Sequence, residues 1–202
     1  MGKREDNREE RRQAILAAAR SLFAERGFHA AGMAEIAARS GVTPANLYRY
    51  FPSKSAIVCA IADAQREQVA RAVTDAQAAP DARSALARLL THFIRAEAGD
   101  PDQGRLWLEI LVETARNPEV RRAVEADDAA VKAGFLAVLR RGIAEGGMRA
   151  DLDLDATVVW LIALLDGAVG RMAIEPEFDL ARATDAFIAL SLRALAPLET
   201  RP

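Results

Sequence analysis

Apolar side chains return every three or four positions along almost the whole chain, and nowhere do apolar and polar residues alternate long enough to build a strand. The pattern predicts an all-helical protein. An opening helix carries Ile15, Ala19, Leu22 and Phe23 on one face, can be capped by Asn7 with Glu10 three residues on, and should end at Gly27. Met33, Ile36 and Ala37 make the stripe of a second, short helix stopping at Gly41. Thr43 caps a third, with Pro44 at the first helical position, where its missing N–H costs nothing. Leu47 and Phe51 face inward. Pro52 breaks that helix, and Ser53 can cap a long fourth one through Ile57, Ile61 and Val69 toward the AAPD stretch at 78–81. Further helices are predicted at 82–98 around Leu86, Leu89 and Phe93, and at 101–116 behind a box of Asp100, Pro101 and Gln103. A long helix from Pro118 to about Glu145, ended by Gly146 and Gly147, and two more at 155–174 and 179–196 complete the chain.

The third helix raises a functional question, because TPANLYRYFPSK (43–54) crowds Asn46, Tyr48, Arg49, Tyr50 and Lys54 into about two turns. Two short helices joined by SGVT form a helix-turn-helix arrangement, whose second helix can lie in the major groove of DNA. With Leu47 and Phe51 buried, Asn46, Arg49 and Tyr50 are expected to project from the surface, with Tyr48 at the edge. Lys54 opens the next helix, where backbone N–H groups and a cation together can hold a phosphate.

Charge sharpens this reading. The formal net charge of -2 over 202 residues divides unevenly: residues 1–54 hold ten Lys or Arg against six Asp or Glu, +4, and the remainder holds 17 against 23, -6. A polyanion would meet the first segment and be repelled by the second. The expected organisation is a DNA-binding domain at 1–54 and an effector-binding and dimerisation domain at 55–202.

In the first segment IL at 15–16, LF at 22–23, GF at 27–28, MAEIA at 33–37, GV at 41–42 and NLYRYFPSK at 46–54 follow one another in order. This string resembles the DNA-binding domain of the TetR family of bacterial transcriptional regulators. The resemblance implies DNA contacts from Pro44, Ala45, Asn46, Tyr48, Tyr50 and Lys54. The chain departs from the family at Ala31 and Gly32, where Thr or Ser is usual, and at Ala34, often polar or basic. A basic arm of Lys3, Arg4, Arg8, Arg11 and Arg12, diluted by Glu5, Asp6, Glu9 and Glu10, is expected to be solvated and frayed. Farther on, WLEILVETARNPEVRR (107–122) and LLDGAVGRMAIEPEFDL (164–180) resemble the BetI-like branch of the family. On this resemblance the chain is expected to be a homodimeric repressor, released from a palindromic double-stranded operator by a small-molecule effector.

ATVVWLIALL (156–165) is apolar around the whole helix, so both faces need cover. One chain's core can supply it alone, or Val159, Leu161, Leu165, Phe187, Ile188, Leu192 and Leu195 can meet a second copy in a four-helix interface, the favoured reading. No apolar run reaches the roughly 18 residues of a membrane span, and nothing at the start reads as a signal peptide, so no membrane partner is expected and the cytoplasm is the expected compartment.

Groups for chemistry are few, and no catalytic, metal or cofactor site is expected. Cys59 is the single cysteine, and His29 and His92 lack neighbours at metal or triad spacing. Asp151, Asp153 and Asp155 begin like a calcium loop, but Ala156 and Ile162 stand where it needs glycine and glutamate. Glu109, Glu113 and Arg116 read as a solvated helix face. Phe93, Trp107, Phe135 and Trp160 are core residues first and pocket walls second; as pocket walls they allow a cage for a quaternary ammonium. Asp166, a carboxylate within an apolar helix, must find a partner or lose its charge, and serves either a ligand or a contact between helices.

Overall fold

A computed structural model describes residues 3–98, 101–175 and 177–198, and among these there is no strand. The helices run α1 (Lys3–Ala30), α2 (Met33–Arg39), α3 (Pro44–Tyr50), α4 (Lys54–Gln77), α5 (Ala82–Ala98), α6 (Pro101–Thr114), α7 (Pro118–Ala144), α8 (Leu154–Ile174) and α9 (Leu180–Ala194). Thr43 caps α3 by accepting from the Asn46 N–H at 3.3 Å, with Pro44 at its start. Ser53 Oγ accepts from Ala56 N–H at 3.1 Å at the head of α4, and Asp153 and Asp179 cap α8 and α9. Each is a short polar side chain satisfying an N–H that the first helical turn leaves unpaired.

Two local expectations change. The helix already runs from Lys3, so Asn7 lies inside it rather than at its cap, and the basic arm is helical, not frayed. Gly27, with non-helical φ and ψ, ends the long run of α1 as expected, and one short helical turn follows it to Ala30. α8 extends over 21 residues with a mean hydropathy of 1.7, long and apolar enough to cross a membrane by length and composition, where the ten-residue run had counted as too short. The Asp100 cap lies outside the described residues.

Packing divides the chain into two compact units, Met1–Gln65 with Pro101–Asp127 and Arg66–Asp100 with Asp128–Pro202. In the first, Ile15, Ala19, Leu22 and Phe23 of α1 meet Ile36 of α2, Leu47 of α3, Ile57 and Ile61 of α4, Leu106 and Ile110 of α6, and Val120 of α7. In the second, Leu86, Leu89 and Phe93 of α5 meet Phe135 and Leu139 of α7, Leu161 and Leu165 of α8, and Leu195 after α9. The turn at 78–81 is tied down by Arg141, whose guanidinium donates to the carbonyls of Gln77, Ala79 and Pro80 at 3.1–3.2 Å. Glu145, bonded to Arg141, accepts from the Ala82 N–H at 2.8 Å.

Candidate nucleic-acid interface

α3 has seven residues, so its orientation depends on what surrounds it. Leu47 is fully buried and Phe51 nearly so, fixing one face of the helix against α1, α2 and α4. On the other face Pro44, Ala45, Tyr48 and Arg49 are exposed and Asn46 is half-buried. Tyr48, expected at the edge, is 54% exposed. Tyr50, expected to project, is half-buried and packs on the core cluster. The outer face of α3 is therefore formed by Asn46, Tyr48 and Arg49, with Tyr50 as its support.

α2 and α3 are held by contacts the local sequence pattern does not announce. Arg39 of α2 reaches back to α1, where Nη1 donates to Ser21 Oγ at 2.8 Å and Nη2 to Glu25 Oε2 at 2.9 Å. Arg26 pairs with Glu35 at 2.6 Å across the same two helices. α2 itself begins at Gly32 with no side-chain cap, and the Gly41 turn, at φ +70°, leads directly into α3. The hydrogen bond from Arg39 holds the Glu25 carboxyl down at about 2, with Ser21 adding to the effect. A depressed carboxyl stabilises the fold above its ordinary value of 4.5, and that stabilisation disappears as pH falls toward about 2. The urea-midpoint difference between wild type and Glu25→Gln is thus expected to be present at neutral pH and to vanish between those two values; a pH-independent difference excludes this pairing.

At the end of α1 the chain turns through Gly27, whose φ of 79° and ψ of 161° belong to a region essentially reserved for glycine. Glu109 of α6 fills the space beside it and accepts from the Phe28 N–H at 2.9 Å. Glu113, one turn on, is buried; its Oε1 accepts from Asn117 Nδ2 at 3.1 Å, and Oε2 lies 3.3 Å from His29 Nε2. These two carboxylates are not the solvated stripe their spacing suggested, and Arg116 alone of the three is exposed. Lys54 joins the same junction: Nζ donates to the carbonyls of Phe28 at 2.7 Å and His29 at 3.1 Å and sits 4.7 Å from the Phe28 ring centroid. Burial lowers its pKa, and Glu113 partly offsets this. A residue expected to face phosphate thus spends two of its three donors on its own chain. Near α3, the Arg12 guanidinium lies 5.8 Å from the Phe51 ring centroid.

Residues 15–61 match the family described as bacterial regulatory proteins, tetR family, and residues 80–196 match the C-terminal domain of BetI-type transcriptional repressors. The chain belongs to the TetR family. It is therefore a DNA-binding transcriptional regulator of the helix-turn-helix type and not an enzyme. The transcriptional regulator UidR of Escherichia coli K12 is 28% identical over 184 residues, covering 91% of this chain and 90% of that protein. Salmonella enterica GusR superposes with a TM-score of 0.76 at 27% identity, over 91% of this chain and 92% of that one. A transcriptional regulator from Saccharomonospora viridis, solved in complex with choline, gives 0.81 at 24% identity over 93% and 98% and shares the fold.

The aromatic residues of the expected pocket of this TetR-family chain divide between the two packing units. Phe93 and Phe135 are buried side by side, ring centroids 5.7 Å apart, in the core of the second unit. Trp107 packs in the first unit's cluster, and Trp160 is 69% exposed, so it walls no cage. Asp166 is half-buried and engaged by other groups of the chain. The expected dimer residues divide as well. Leu161, Leu165 and Leu195 are buried in their own core, Phe187, Ile188 and Leu192 are half-buried against it, and Val159 alone of the seven is exposed. Large apolar side chains left exposed among the described residues of the second unit are Val159, Trp160, Leu164 and Ile174 on α8, Leu190 on α9, and Leu198 after it. Among the described residues no group of His, Cys, Asp and Glu could hold a metal ion.

Proposed function

We propose that the chain acts in the cytoplasm as a homodimeric repressor, placing two copies of α3 in successive major grooves of a palindromic operator and leaving it when a small-molecule effector binds. The observation that carries the DNA part is the division of α3: Leu47 is buried while Tyr48 and Arg49 stand in solvent. In this reading Asn46 and Tyr48 meet base edges and thymine methyls, Arg49 and Lys54 meet phosphates, Pro44 and Ala45 allow close approach of the helix start, and Tyr50 braces the helix. Residues 1–54 carry the DNA contacts and 55–202 the effector and the second copy. Two-fold symmetry then demands half-sites about 34–36 Å apart.

The uncovered apolar patch on α8 and α9 supports dimerisation. A cleft of about 370 Å³ in the second unit includes Leu164, Gly167, Ala168, Thr184 and Phe187, so it shares Leu164 with that patch and a second copy covers both. For the effector, a relative of the same fold holds choline. α4 passes unbroken from one packing unit into the other, which gives a ligand-induced change in the second unit a covalent route to the first. A coupling of roughly 1–3 kcal/mol suffices to weaken operator binding about 5–150-fold.

Salt dependence tests the DNA contacts. Each phosphate contact contributes roughly 0.9 to the slope of log affinity against log salt, so a symmetric dimer loses close to two when Arg49→Ala removes one contact per chain. Lys54→Ala lowers the slope similarly through its remaining donor, and also lowers the urea midpoint because the Phe28 and His29 carbonyls lose their partner. An unchanged slope in Lys54→Ala leaves that residue a clamp alone; an unchanged slope in both removes the α3 surface from the interface.

A further inference from the structure

The 55–202 segment is net acidic, yet one stripe of α5 there is basic. Arg88, His92 and Arg95 stand at i, i+4 and i+7, a spacing that aligns them on one face, with Thr91 beside them. Neither arginine forms a salt bridge with a described residue. With Ala72 and Asp75 of α4 these four line an open cleft of about 670 Å³, within the size range of small-ligand sites. Its remaining lining is Ala87 and Ala96, whose short side chains leave the space clear.

Both arginines are exposed at the cleft. Arg88 Nη1 donates to the Asp75 backbone carbonyl at 3.2 Å, which anchors the guanidinium without cancelling its charge and leaves its other N–H groups available. Among the described residues Asp75 contributes the one carboxylate lining the cleft, beside two guanidiniums. His92 is half-buried, its ring edge-on to Phe93 with centroids 5.4 Å apart. Burial lowers its pKa, and the Asp75 carboxylate partly offsets this.

We propose that the α4–α5 cleft is a binding site for an organic dianion, with Arg88 and Arg95 each holding a carboxylate or phosphate group and Thr91 and His92 completing the hydrogen bonds. Seven helical residues rise roughly 10 Å, so a ligand with two separated anionic groups engages both guanidiniums where a monoanion engages one. The site lies within the second packing unit and outside the aromatic core around Phe93 and Phe135, and it does not depend on the effector reading given above.

Titration calorimetry on the full-length protein tests the site, using pentane-1,5-diol bisphosphate and pimelate as the phosphate and dicarboxylate probes and acetate as the monoanion control. Saturable binding of one probe per chain is expected, much stronger than acetate, weakened about tenfold or more in Arg88→Gln/Arg95→Gln, and unchanged in Arg49→Ala. The probe that binds identifies the anion class. Failure of both probes to saturate in the millimolar range overturns the proposal, and so does wild-type affinity in a folded double variant. Loss of binding in Arg49→Ala assigns the heat to the DNA-reading surface and overturns it equally.

Discussion

Glutamate at both Trp160 and Leu164 will make the protein monomeric and reduce its affinity for a palindromic duplex by about two to four orders of magnitude, while each chain stays folded. Trp160 is 69% exposed and Leu164 52%, beside Val159 at 52% and Leu190 at 58%. So much apolar surface on adjoining turns is costly in water and marks an interaction face. Covering a side chain of this size contributes roughly 1.5–3 kcal/mol, and two-fold symmetry counts each one twice. Carboxylates placed there must be desolvated opposite their own symmetry copies. The monomer can still place one α3, but it loses the second as an intramolecular event, which is where the loss of about 10²–10⁴ arises. Light scattering after gel filtration reads the mass directly: 21.8 kDa is expected for the variant and twice that for wild type. A variant that remains dimeric places the interface elsewhere.

Gly27→Ala will destabilise the first unit by about 1–3 kcal/mol and weaken DNA binding by more than its stability loss alone explains. The backbone at 27 is in a conformation that costs a side-chain-bearing residue about this much. The new methyl group would also stand about 3.0 Å from Glu109 Oε2, the oxygen that accepts from the Phe28 N–H. Relief comes by displacing Glu109 or by straightening the bend. Either disturbs the junction where Lys54 holds the Phe28 and His29 carbonyls, immediately before α2 and α3. Urea denaturation gives the stability term, and binding at a temperature where the variant is fully folded gives the rest. Wild-type affinity in the folded variant means that the bend does not position α3.

Helix number, order and most boundaries were legible because they follow from local signals. Thr43, Pro44 and Ser53 act within one turn of themselves, and a 3.6-residue apolar period survives any tertiary context. The α3 surface was legible in part for the same reason: burying Leu47 largely dictates where Asn46, Tyr48 and Arg49 point. Tyr50 was misplaced because an aromatic ring bridges surface and core, and only the neighbouring helices decide how far it folds back. Glu109 and Glu113 were misread because their partners, Phe28 and His29, lie some 80 residues away, and no spacing rule links a carboxylate on α6 to an unpaired N–H beyond a glycine bend. Lys54 showed the same limit, its cation being satisfied by carbonyls 25 and 26 residues earlier. The α8 face was placed only in part, at Val159, for a related reason. A helix apolar all round announces that it has two covers but not which residues face which, so Leu161 and Leu165 went to the chain's own core and Trp160 to the surface.

Selection from a random double-stranded DNA library, run in parallel with wild type and Tyr48→Ala, tests the central claim most directly. The wild type is expected to enrich an inverted repeat whose halves are separated by about one helical turn or a multiple of it, and Tyr48→Ala to lose that enrichment while keeping weak, salt-sensitive binding to any duplex. Absence of an enriched sequence with wild type, or the same repeat recovered equally well by Tyr48→Ala, would contradict the assignment of α3 as the element that reads DNA.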